Sequence, residues 1–248
     1  MSFENIRYEV DEQIAWITIN RPDSLNSLNP DVLKEIHNAV DLSEHNEEVA
    51  VIVLTGAGRA FCAGVDLKSL QGLEGGDVGA DLNHVARDTQ NRIETANKVV
   101  IAMVNGFCLT GGLELALACD LIITADEAKF GDTHVRWGIR CTWGMSQRLS
   151  QRVGELKARE MTYTADMISG TEAERIGLVN QSVPASKLEA AVREMADKIK
   201  KNSLGAIAAH KYLYTQSKKE QMAKGLEREY TTKPNISDTA ERLTGFIK

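Results

Sequence analysis

Apolar residues fall into two kinds of pattern along the chain. In residues 6–10, 16–19, 50–54, 99–104 and 121–125 they alternate with polar ones or form brief unbroken runs rich in Val and Ile, which is the length and period of strands. Across 30–45 they recur three and four apart, which predicts a helix, with Asn29 placed to cap it and Pro30 tolerated in its first turn. Residues 113–118 predict a second helix, opened by Gly111 and Gly112. Strands alternating with helices imply α and β layers on a partly parallel sheet, an α/β fold. Beyond Trp143 the strand signals nearly vanish. Helical spacing there predicts helices over 146–163, 170–176, 185–202, 204–217 and 237–246, so the C-terminal third reads as helical. Residues 72–79, rich in glycine and acidic side chains, read as a mobile loop.

Composition narrows the possible partners. The 248 residues are 43% hydrophobic and 26% charged, enough to bury a sizeable core in one main domain with an appendage. A formal charge of -6 argues against a surface built to neutralise nucleic-acid phosphates. The N-terminal residues carry neither a signal-peptide nor a transit-peptide pattern, and no apolar run is long enough to span a bilayer, so a cytoplasmic protein without a membrane partner is expected. Cys62, Cys108, Cys119 and Cys141 are far apart, with no Cys-x-x-Cys pair and no histidines at zinc-finger spacing. They read as small residues of a reduced core, and no metal site is expected.

Two glycine-bearing segments carry the candidate chemistry. The strand ending at Leu54 runs into residues 55–67, TGAGRAFCAGVDL. This is a poor dinucleotide fingerprint, because Phe61 stands at the third glycine position and no helix opens directly after it. A tight turn after a strand is the simpler reading. The second strand feeds residues 105–120, NGFCLTGGLELALACD, where glycines at a helix start leave backbone N–H groups uncovered and favour a negative oxygen nearby. For an isolated Gly-Gly, close helix packing is the simpler reading.

Taken together, the two segments resemble the enoyl-CoA hydratase/isomerase (crotonase) superfamily, with its A-F-C-A-G-x-D-L loop and N-G-x-x-x-G-G-G-x-E-L helix start. Thr110 replaces the first glycine of the run. The likeness extends through Asn20-Arg21-Pro22 with Leu25-Asn26, Phe130-Gly131, Gln147-Arg148-Leu149, Gly177-Leu178-Val179 and Lys211. It implies a crotonase-like spiral of ββα units over residues 1–190 and a helical trimerisation region over 191–248, assembled as a homotrimer or dimer of trimers. Residues 237–248 resemble the family's last helix, cut short of a lysine-rich tail. The resemblance also implies an oxyanion hole formed by the N–H groups of Val65 and Gly111. Backbone around Ser24, Leu25, Ala63, Asp66, Leu67 and Gly112 would hold coenzyme A. The thioester is substrate, and no further cofactor is implied. Adding or removing a proton beside a thioester places charge on its oxygen, and each preorganised donor contributes ~3 kcal/mol to the transition state.

Glu114 matches one of the family's two glutamates and would act as general base toward water. It also fits a carboxylate complementing a helix N-terminus. The second glutamate falls, by counting, at His134, in F-G-D-T-H-V-R-W-G. A histidine there can shuttle protons or only line the pocket. Trp143, in C-T-W-G-M where a Pro-Gly-rich loop is expected, would narrow the acyl end or belong to the core. The expected reaction is addition of water to a 2-enoyl-CoA. The alternatives are isomerisation, decarboxylation or thioester hydrolysis on the same fold, or a CoA-binding protein without catalysis.

Overall fold

The computed structural model describes residues 3–66, 78–231 and 244. The chain begins with an antiparallel hairpin, β1 (Ile6–Asp11) and β2 (Ile14–Ile19), closed by Glu12 and Gln13, both at positive φ (47° and 67°). This primed geometry matches the twist of the flanking strands. Helix α1 (Pro30–His45) follows, its Asn29 Oδ1 accepting the Val32 N–H at 2.9 Å.

Three turns of strand, strand and helix come next. The first is β3 (Val51–Gly56), β4 (Ala60–Cys62) and α2 (Ala80–Thr95). The second is β5 (Val99–Val104), β6 (Phe107–Leu109) and α3 (Gly111–Ala118). The third is β7 (Leu121–Ala125) and β8 (Lys129–Gly131), a 3-10 turn over His134–Trp137, and α4 (Met145–Val153). In each turn the longer strand joins one sheet and the shorter strand a second. Gly106 marks one such corner, because a Cβ there would lie 2.1 Å from the Arg59 carbonyl oxygen. The sheets run β1-β2-β3-β5-β7-β10 and β4-β6-β8-β9, where β9 is Ile168–Ser169 and β10 is Gln181–Val183. From β2 to β10 the first sheet is parallel, and β3 is buried at every position, as strands covered on both faces are.

The helices α5 (Glu155–Thr164), α6 (Gly170–Arg175), α7 (Leu188–Lys200) and α8 (Leu204–Thr231) complete the described chain. The five expected strands and helix α1 are present. The helix expected over 146–163 is broken at Gly154, whose φ of 78° and ψ of 158° no helix accommodates. Helix α2 carries no clear apolar stripe, because its buried face includes Asn83, Thr89 and Gln90. The strand-free C-terminal third gains two short strands, β9 and β10. The helix expected over 237–246 and most of the loop expected over 72–79 lie outside the described residues. No described helix is long and apolar enough to cross a membrane.

Candidate active site at the start of helix α3

Two backbone donors are left open where the ββα turns meet. Leu28 N–H donates to Gly64 O at 2.8 Å and Asp66 N–H to Leu28 O at 3.0 Å, which pins residues 64–66 as a bridge and turns the Val65 N–H away from it. Gly111 is the first residue of α3, where an N–H has no partner within the helix. Among the described residues, neither N–H has a hydrogen-bond acceptor. Thr110 leads into the helix at φ 46° and ψ -118°, a region that glycine occupies freely and a β-branched residue does not. Its hydroxyl donates to Ala63 O at 3.4 Å, and its N–H to Gly131 O at 3.0 Å.

One turn into α3, Glu114 is 1% exposed. Its Oε1 accepts the N–H groups of Trp143 (3.0 Å) and Met145 (3.1 Å), and its Oε2 lies 3.6 Å from Nε2 of His134. His134 is itself 8% exposed, and its Nδ1 stands 2.6 Å from Oδ1 of Asp132. The other Asp132 oxygen accepts the Thr162 hydroxyl from α5 at 2.6 Å. Burial alone would raise the Asp132 carboxyl; the hydrogen bond and charge of His134, with Thr162, outweigh it and hold that carboxyl below the usual aspartate value.

A cavity of about 40 Å³ adjoins these groups, walled by Ala63, Val65, Thr110, His134, Trp137 and Ile139. That is room for a few water molecules. Trp143 closes the far side of Gly111. A Cβ at Gly111 would stand 2.7 Å from the Trp143 ring, so this position admits only glycine while the ring is in place. The ring is fixed in turn by Nε1 donating to Asn83 Oδ1 at 2.8 Å, an oxygen shared with the Thr142 hydroxyl. Trp143 is 2% exposed and so is both core residue and wall.

Comparison with known proteins fixes the family. The enoyl-CoA hydratase/isomerase profile matches residues 9–248. The chain belongs to that family. It is 41% identical over 85% of its length to the short-chain-enoyl-CoA hydratase of Clostridium acetobutylicum, of which it covers 81%. It is likewise 41% identical over 78% of its length to the probable peroxisomal enoyl-CoA hydratase 1 of Arabidopsis thaliana, of which it covers 72%. Among solved structures, an enoyl-CoA hydratase/isomerase from Xanthobacter autotrophicus Py2 superposes with a TM-score of 0.89 at 31% identity, covering 99% of this chain and 92% of that one. The crotonase-like spiral of ββα units expected from the sequence is the fold observed.

Within this enoyl-CoA hydratase/isomerase frame, the expected residues divide. Ala63, Val65, Gly111, Glu114 and His134 come together around the cavity and the start of α3. Ala63 N–H donates to Leu25 O at 3.0 Å, which ties the 3-10 turn of Pro22–Ser24 to the loop. Asp66 pairs with Arg21 at 3.4 Å, and Ser24 donates its hydroxyl to Arg21 O. Neither Ser24, Leu25 nor Asp66 borders the cavity. Gly112 packs on β4, where a Cβ would lie 2.2 Å from Cys62 O. Leu67 lies outside the described residues. Asp132, Thr162 and Asn83 escaped the sequence reading. Asp132 alone left a signal, the Asp-x-His spacing before His134.

A larger cavity, about 900 Å³, lies at the opposite end of α3, under α8. Within its lining, Arg148 pairs with Glu94 at 2.8 Å and Lys211 with Asp120 at 2.7 Å. The cysteines are free; Cys62, Cys108 and Cys119 are buried, and burial pushes the thiols of Cys62 and Cys119 up to about 12.

Proposed function

We propose that this enoyl-CoA hydratase-like enzyme adds water across the double bond of a 2-enoyl-CoA, with the thioester oxygen held by the N–H groups of Val65 and Gly111. The observation that carries this reading is the pair of open backbone donors beside a buried Glu114–His134 couple. In the forward step Glu114 Oε2 takes a proton from water as the water oxygen bonds the β-carbon, and the double-bond electrons move onto the thioester oxygen. The enolate then recovers a proton at the α-carbon from Nε2–H of the His134 imidazolium. The backbone of Ser24, Leu25, Ala63, Asp66, Leu67 and Gly112 would hold the coenzyme, with no other cofactor.

Assembly as a homotrimer or dimer of trimers is part of the same reading, supported by Tyr212, Leu213 and Tyr214, which stand 61%, 58% and 69% exposed on α8. Four free cysteines support a reducing compartment such as the cytoplasm.

The test is crotonyl-CoA mixed with the protein. Hydration predicts loss of the conjugated-enoyl absorbance and a product heavier by one water. A second reading, double-bond isomerisation, is favoured by His134 standing where a second glutamate is expected. It predicts turnover of a 3-enoyl-CoA without change of mass.

A further inference from the structure

His134 stands at the position of the family's second glutamate, and its ring lies 3.6 Å from Glu114. We infer that Asp132 is the positioning residue for His134, anchored by Thr162, and that Thr162, Asp132, His134 and Glu114 form one relay that returns the proton after each turnover. This rests on the proposed roles of Glu114 and His134.

The bonding along the relay determines where protons sit. The Thr162 hydroxyl donates to Asp132 Oδ2 at 2.6 Å, leaving Oδ1 for the imidazole, also at 2.6 Å. An ionised carboxylate only accepts, so Nδ1 of His134 carries a proton. The main chain adds a second tether, His134 N–H to Asp132 Oδ1 at 3.4 Å. With Nδ1 committed, Nε2 is the nitrogen that faces the cavity and Glu114. Its partner Oε2 belongs to a carboxylate whose other oxygen accepts two N–H groups. At 3.6 Å, just beyond hydrogen-bonding distance, Nε2 and Oε2 attract when one proton lies on either of them and repel when neither carries one, so the relay works with a single proton held by the couple.

Among the described residues, the carboxylates paired with the imidazole are Asp132 from its own segment and Glu114 from α3, and Thr162 of α5 adds a neutral hydroxyl on Asp132. Arg136, on the same 3-10 turn, donates to Ala165 O at 2.8 Å. Two flanking carboxylates stabilise the imidazolium, the form that gives a proton to the α-carbon. Once it has done so, the proton that Glu114 took from water passes from Oε2 to Nε2. Both groups are restored, and the net change is one water added to substrate. A glutamate at this position would need no Asp132; a histidine does, because an unanchored ring can present either nitrogen.

The experiment combines kinetics with the protonation state of the ring. In Asp132→Asn, kcat for crotonyl-CoA is expected to fall about 100-fold with KM within about threefold, since the lost group touches no substrate. In long-range 1H–15N spectra of protein labelled at its five histidines, His134 is expected to be protonated at Nδ1 in wild type and to lose that signature in the variant. Thr162→Val, which removes only the outer hydroxyl, is expected to shift both readouts in the same direction by a smaller amount, and serves if Asp132→Asn does not fold. An unchanged kcat in folded variants, or a wild-type His134 lacking a proton on Nδ1, overturns the inference. If wild type hydrates no enoyl-CoA but His134 shows the Nδ1–H signature, the proposed reaction fails and the anchoring by Asp132 stands.

Discussion

The two ends of helix α3 each hold a shielded carboxylate, Glu114 buried and Asp120 half-buried, and face a cavity, yet their bonding differs. At the C-terminal end, Asp120 Oδ2 accepts the Val100 N–H at 2.8 Å and the Lys211 ammonium at 2.7 Å. Lys211 spends its remaining hydrogens on the carbonyls of Ile93 and Lys98, at 3.1 and 3.0 Å. The ammonium of Lys211 thus has three acceptors, and the pair ties α8 to the core. At the N-terminal end, the donors of Val65 and Gly111 have no acceptor among the described residues, Thr110 is held in a glycine conformation, and Glu114 meets an imidazole rather than an ammonium. Burial of an acid does not distinguish a site from a scaffold. The distinction lies in polar groups left open and in local strain, which a protein retains where a ligand completes them.

That contrast can be broken most sharply through Glu114. Replacement by Gln keeps the shape and removes the base, so kcat for crotonyl-CoA hydration is expected to fall by about 10³-fold, or ~4 kcal/mol, with the melting temperature little changed. The matching change at the other end, Lys211→Ala, is expected to do the reverse. It leaves Asp120 partly buried without its cation, costing about 3 kcal/mol in denaturant unfolding, while turnover per folded molecule stays within about twofold.

Acid separates the ends in sign. The folded-state carboxyl of Asp132 lies below its unfolded value, so its contribution is present above about pH 4 and is lost as pH falls through the folded pKa. Burial pushes the Asp120 carboxyl up, and Lys211 and the Val100 N–H only partly offset this, so Asp120 disfavours folding once pH rises through that range. The stability gap between wild type and Asp132→Asn is expected to close on acidification below about pH 4, and the one for Asp120→Asn to move the opposite way. Thermal melts across that range measure both. The smallest expected effect is at Thr110. Glycine there relieves a strained φ of 46° but loosens the unfolded chain, for a net gain of about 1 kcal/mol in denaturant unfolding.

The sequence is informative about these two ends to different degrees, for physical reasons. The long strands β3 and β5 are continuous apolar runs, and α1 combines a cap, a proline and a stripe, so local rules suffice. The strands β4, β6 and β8 span three residues each, too few for a period to register. Helix α2 hides because the buried Asn83, Thr89 and Gln90 serve the core and the Trp143 wall rather than a hydrophobic stripe. In the candidate site, Val65, Gly111 and Glu114 stand out in the sequence because each matches a position of the family's two glycine-bearing motifs, which are short continuous stretches of chain. Thr162 does not, since it reaches Asp132 from a helix 30 residues further along the chain. Asp120 and Lys211 are 91 residues apart, and neither carries a local sign of the other.

The central claim is that the open N–H groups at the start of α3 receive a thioester oxygen. A crystal structure of Glu114→Gln soaked with crotonyl-CoA tests it most directly. The account predicts the thioester oxygen ~2.7–3.1 Å from both Val65 N and Gly111 N, with the β-carbon facing residue 114. A thioester oxygen bound away from both donors, in water or against other groups, would contradict it.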